Sequence, residues 1–130
     1  METVREDEAT TFFDGFVEAF STFSGAMVAE RYQTPFLAVD AAGAATAFTT
    51  RGEIAKYFQA ALDDYSTQGC QSCRYVNLEV RSLGLSSGLL TVTWELLRGD
   101  GAVALSWRES YVVVRKSTRL AVCASIDHAA

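Results

Sequence analysis

Two hydrophobic periods divide the chain. In the first half, Phe13, Phe16, Val17, Phe20 and Phe23 fall at helical spacing and form one apolar stripe. Thr11, with Asp14 three residues on, predicts the start of that helix. Gly15 inside it costs about 1 kcal/mol relative to alanine, so packing has to hold the helix there. Ser24 predicts the cap of a second, short helix through Met27, Val28 and Tyr32, which Pro35 stops because it has no amide to donate. The segment from Pro35 to Asp40 reads as extended, Ala41 to Ala45 as a turn, and Thr46 to Thr49 as a short return strand. A third, long helix is the clearest element. Thr50 and Glu53 make a capping box, Ile54, Tyr57, Phe58, Ala61, Leu62 and Tyr65 repeat with helical period, and Gly69 suits a left-handed end.

From Arg74 onward the period is two, and four strands are predicted over residues 74–83, 89–98, 102–116 and 119–127. Asp100-Gly101 predicts a two-residue hairpin with positive φ at both positions. That turn pairs Arg98 with Val103, Leu96 with Leu105, Trp94 with Trp107, Val92 with Glu109 and Leu90 with Tyr111. One face of the hairpin is then apolar but for Glu109, and the other carries Thr91, Thr93, Glu95, Ser106, Arg108 and Ser110. A one-residue slip would mix the faces, so the pattern itself argues for this register. Helices gathered on one side of a meandering sheet give an α+β fold, and long strands of this kind curl and leave a hollow under the helices.

Composition narrows the function classes. At 130 residues with 49% hydrophobic and 21% charged positions, the chain is expected to fold as a single globular domain with an ordered core from about residue 10 to 127. Eleven basic against 16 acidic residues give a net charge of −5 without a basic stripe, which argues against a nucleic-acid partner. No apolar run reaches the length of a membrane span, and the first residues lack the basic-then-apolar order of a signal peptide, so no membrane partner is expected. Three cysteines, an odd number, fit a reduced, cytoplasmic setting.

The element order, with Tyr32-Gln-Thr-Pro35, the turn from Asp40 to Gly43, and Thr50-Arg-Gly52-Glu-Ile54-Ala-Lys-Tyr57-Phe58, resembles the nuclear transport factor 2-like superfamily, and within it the small bacterial SnoaL-like members. The resemblance runs from about Thr10 to Asp127. It implies a cystatin-like cone: a strongly curved antiparallel or mixed sheet packed against one long and two shorter N-terminal helices, with a deep apolar pocket and a homodimer formed through the sheet. Polyketide cyclases, ketosteroid isomerase-like enzymes, dehydratases and non-catalytic members share that fold, so activity has to be argued from the site.

Glu109 is the one carboxylate on the greasy hairpin face, and desolvation would raise its pKa into the range useful for acid–base work. The competing reading is a Glu near the cone mouth, partly solvated or bonded to a Tyr or Arg. His128, the single histidine, falls on the inner face with Leu120, Val122, Ala124 and Ile126 if the last strand keeps an even register; a shift of one points Asp127 inward instead. Asp40 lies where the resemblance puts the catalytic base of isomerase-like members, yet it is also an ordinary turn aspartate bonding its own backbone. No tyrosine precedes Tyr32, so the donor Tyr of steroid-type isomerases is missing from the first helix. Trp94, Trp107, Tyr111, Tyr57, Phe16 and Tyr32 are either pocket walls or plain core. Cys70-Gln-Ser-Cys73 follows a helix C-terminus and lacks the further ligands a zinc site wants.

Two functions remain open. In the first, the cone holds a small, largely apolar molecule and acts as an isomerase, cyclase or dehydratase through proton transfer by Glu109 with Asp40, Asp127 or His128, chemistry that needs no cofactor. In the second, the chain is a non-catalytic dimeric module for a ligand or a partner protein.

Overall fold

The computed structural model describes residues 3–129; Met1, Glu2 and Ala130, counted in the expected domain, lie outside the described residues. The elements follow in the order α1 (Glu6–Ser21), α2 (Gly25–Ala29), β1 (Tyr32–Val39), β2 (Ala45–Phe48), α3 (Arg51–Thr67), β3 (Cys70–Ser82), β4 (Ser87–Arg98), β5 (Val103–Lys116) and β6 (Arg119–Asp127). The strands form one six-stranded sheet in the order β2-β1-β6-β5-β4-β3. All neighbours are antiparallel except β1 and β6, which run parallel. The sheet is therefore mixed, as the fold expectation allowed.

Helix α1 begins at Glu6, five residues before the expected Thr11. Its first turn holds Glu6, Asp7 and Glu8, whose charges suit the positive end of a helix. Glu8 also accepts the Arg5 amide at 3.2 Å and forms an ion pair with Arg115 of β5. Residues 6–8, outside the ordered core expected from about residue 10, are thus the helix start. At 16 residues α1 nearly equals the 17-residue α3, so the cone carries two long helices and one short one.

Ser24 caps α2 by accepting the Met27 amide at 3.3 Å. The helix ends at Ala29, and Tyr32 opens β1 instead of continuing it. Pro35 lies inside that strand, between Tyr32 and Leu37, where pairing to β6 is interrupted and a missing amide costs no ladder bond. Helix α3 starts as its capping box predicts, with the Thr50 hydroxyl accepting the Glu53 amide and Glu53 accepting the Thr50 amide.

The β4–β5 register matches the expected pairs from Leu96 opposite Leu105 to Leu90 opposite Tyr111. Only the turn differs: Leu97, not Arg98, faces Val103, and a bulge separates Leu96 from Leu97. Three residues form the loop, closed by the Arg98 amide donating to the Ala102 carbonyl at 2.8 Å. Gly101 alone takes the left-handed conformation there, with φ +86°, which is the three-residue hairpin with a glycine bulge.

The core gathers Phe12, Phe13 and Phe16 of α1 against Tyr75, Trp94 and Tyr111 of the sheet, largely edge-to-face. Helix α2 rests on α3 at backbone contact: a β-carbon on Gly25 would fall 2.2 Å from the Ala55 carbonyl oxygen. Gln59 locks this crossing by accepting the Gly25 amide at 2.7 Å and donating to the Phe23 carbonyl at 3.2 Å. Among the described residues no helix is long and apolar enough to cross a membrane.

Candidate functional site

The inward face of the sheet meets α1 and α3 across a gap. Side chains alternate across a strand, so Trp94, Leu96, Trp107, Glu109 and Tyr111 share that face, and the apolar stripes of the helices stand over it. Between them lies a cavity of about 340 Å³. Phe16 and Phe20 of α1, Tyr32 of β1, Tyr57, Phe58 and Tyr65 of α3, and Trp94, Trp107 and Tyr111 of the hairpin give it aromatic walls. All six residues expected to bind a ligand line it. Tyr57 is 46% exposed and Asp40 is exposed too, which places the opening to solvent beside them.

Glu109 lies inside this space and is only 9% exposed. Trp107 donates its indole N–H to Glu109 Oε1 at 2.8 Å. Trp94 donates likewise to the Tyr111 hydroxyl at 2.7 Å, and Tyr111 bonds onward to Glu109. Asp127 of β6 is the residue directly opposite Glu109 and bonds to it as well. Burial, and then the facing charge of Asp127, push the Glu109 carboxyl up to about 8. Burial raises Asp127 too, while its bond from Glu109 holds it down. The more buried partner therefore keeps the proton, and Glu109 donates it to an ionised Asp127.

The inward position of Asp127 has a definite cause. Leu120 and Val122 of β6 face the core, but a bulge at Cys123 adds one residue against Val112 and Val113. Beyond it the parity is reversed: Ser125 and Asp127 face the cavity, and Ile126 and His128 face outward. The even register that would carry His128 inward is corrected accordingly. His128 is exposed, bonds through Nε2 to Ser110 Oγ at 2.7 Å, and does not line the cavity.

Asp40 is a turn aspartate that also stands at the mouth. Its Oδ1 accepts the amides of Ala42 at 3.0 Å and Ala44 at 2.9 Å, closing the link between β1 and β2. Cys70 and Cys73 are free and buried at the start of β3, which begins four residues before the expected Arg74, and burial pushes the Cys73 thiol up to about 12. Among the described residues no three His, Cys, Asp or Glu side chains lie close enough together to hold a metal ion.

Sequence reasoning missed three features of the site. Phe58 and Tyr65 belong to the α3 stripe but carry no signal separating cavity wall from core. Ser125 becomes a lining residue only through the bulge. The Trp94–Tyr111 bond was open to prediction, since the hairpin register sets Leu90 opposite Tyr111 and puts Trp94 on the same face.

Residues 6–130 match the family described as NTF2-like protein (DUF6841). No curated relative matches the chain. Among solved structures, a protein of unknown function with a cystatin-like fold from Nostoc punctiforme superposes with a TM-score of 0.77 at 11% identity, covering 98% of this chain and 94% of that one. A putative calcium/calmodulin dependent protein kinase II association domain from Xanthomonas campestris gives 0.72 at 16% identity, covering 100% and 95%. Aln2 from a Streptomyces species gives 0.70 at 19% identity, covering 93% and 87%. Likeness at such identities speaks for the fold alone.

Proposed function

The chain belongs to the NTF2-like (DUF6841) family, and we propose that its cone binds a small, largely apolar molecule and performs cofactor-independent acid–base chemistry on it. The observation that carries this reading is the Glu109–Asp127 pair set in an aromatic cavity of about 340 Å³. Aromatic walls with a few convergent polar groups are what small-molecule sites are made of. Two facing carboxyls whose environments separate their proton affinities supply an acid and a base at one pH. Asp127, ionised and half buried, removes a proton from a carbon acid. Glu109, the acid partner held by Trp107 and Tyr111, delivers one to the rearranged carbon or to the departing hydroxyl. Isomerisation, cyclisation and dehydration all reduce to these two transfers.

Ligand-observed NMR with an aromatic fragment library tests the binding half. Binding lost in the folded cavity-filling variant Ala61→Phe supports it; an undiminished signal shows that the fragments sit elsewhere. Deuterium exchange beside the carbonyl of a bound cyclic ketone tests the chemistry. Exchange that persists unchanged in Asp127→Asn removes the catalytic part of the reading.

A second reading, a module pairing two copies through the sheet without catalysis, has one observation in its favour. Leu37 and Ile126 are 41% and 46% exposed on the outer face of β1 and β6, next to small polar side chains. Sedimentation of Leu37→Glu against the unaltered chain tests it, since a self-associating face would lose its dimer.

A further inference from the structure

We propose that the cavity selects a molecule carrying a protonated nitrogen, an organic ammonium on an apolar body, over neutral and anionic molecules of the same skeleton. This rests on the reading of the cavity as a small-molecule site and is independent of its catalytic half. The first ground is the sign of the charges. Glu109, Asp127 and Asp40 line the cavity, and none of the described lining residues is Lys, Arg or His. Arginines on or beside the elements that form the cavity are committed elsewhere: Arg31 donates to the Phe12 carbonyl at 2.8 Å, Arg51 to the Ala29 carbonyl at 3.2 Å, and Arg108, on the outer face, pairs with Glu79 at 3.2 Å. A ligand carboxylate or phosphate would enter a space of its own sign with no counter-ion.

The second ground is the walls. Rings present electron-rich faces that attract cations, most strongly where water is thinned out, and aromatic cages are the usual receptors for alkylated ammonium groups. Here Tyr57 and Phe58 meet edge to face at 5.0 Å, Tyr32 and Phe58 are 4.8 Å apart, and Tyr65 stacks on Trp107 at 6.1 Å. The third ground is the arrangement between mouth and interior. Asp40 and the half-exposed Tyr57 stand at the opening, Asp127 lies half buried beyond them, and Glu109 lies deepest. A cationic head held by Asp127 and Tyr57 leaves the apolar body against Phe16 and Trp94. It also gives the ionised Asp127 the counter-charge that a neutral guest cannot supply.

Titration calorimetry with three probes of one skeleton, phenethylamine, phenethyl alcohol and phenylacetate, tests this on the full chain at neutral pH. The amine is expected to bind at least about tenfold more tightly than the alcohol, and phenylacetate weakest of the three. In Asp127→Asn the preference of amine over alcohol should shrink to within about twofold. Thermal unfolding of the variant checks that it is folded. Equal or tighter binding of the alcohol or the acid overturns the charge preference and leaves the cavity reading standing. Failure of all three to bind overturns both. An amine preference that survives in Asp127→Asn overturns the assignment of the cationic head to Asp127.

Discussion

Glu109 on β5 and Asp127 on β6 stand directly opposite each other and both face the cavity, which puts two carboxyl groups in one buried space with one proton between them. Opposed like charges destabilise a strand pair, and a buried unpaired charge costs still more. The fold tolerates the pair because Trp107 and Tyr111 bond to Glu109 and because Glu109 is neutral at ordinary pH.

Stability should therefore fall as pH rises. A carboxyl with a folded pKa of about 8 against an ordinary 4.5 makes the folded chain bind more protons than the unfolded one between those values. Its contribution is fully present below the unfolded value and is lost as pH climbs through the folded one. Asp127, also raised, acts with the same sign. Glu109→Gln keeps an acceptor for Trp107 and a donor for Asp127 and has no proton to lose. We expect it to match the parent near pH 5 and to exceed it near pH 9, by on the order of a few kcal/mol. Denaturant unfolding at the two pH values reads the difference, and parallel curves for parent and variant would rule the mechanism out.

Tyr111→Phe should destabilise the chain by about 1–3 kcal/mol, because it leaves the buried Trp94 indole N–H without its acceptor and deprives Glu109 of a donor. A double-mutant cycle with Trp94→Phe separates the two losses. The hydroxyl costs less once the indole is gone if the bond between them is what matters.

Asp40→Asn and Asp40→Ala separate the two roles of the mouth aspartate. Asparagine keeps a side-chain oxygen for the Ala42 and Ala44 amides and should stay within about 0.5 kcal/mol of the parent, whereas alanine should cost about 1 kcal/mol. Amine binding in the asparagine variant then reports the charge of Asp40 alone, with the turn kept.

His128→Gln should leave ligand affinity within about twofold, because the imidazole lies on the far side of the sheet, bonded to Ser110, which is in turn 2.8 Å from Thr91. A tenfold loss would place the histidine in communication with the cavity.

The fold was legible because its signals are local and redundant. The capping box of Thr50 and Glu53 and the clean faces of Trp94, Trp107 and Tyr111 each report the same architecture. What sequence pattern did not yield was parity. β6 is apolar on both faces from Leu120 to Ala124, so nothing in its side chains marks Cys123 as the extra residue, and a count from the Lys116–Arg119 turn carries His128 inward. The start of α1 was hidden for a similar reason: Glu6, Asp7 and Glu8 are polar all round, and their role comes from the helix dipole, the neighbouring Arg5 and the distant Arg115. The candidate site follows this division. Glu109 was visible as the odd residue on an apolar face, and the choice between Asp127 and His128 as its partner is decided by the bulge.

The contact at Gly25 sets a limit on how this site can change. With no room for a β-carbon between α2 and the Ala55 carbonyl, the spacing of the two helices is fixed by an absence of atoms, and Gln59 holds it there. Any side chain at that position acts as a wedge instead of a filler. Cavity shape in this scaffold is therefore expected to change by exchanging the rings that project inward, while the helix crossing stays glycine.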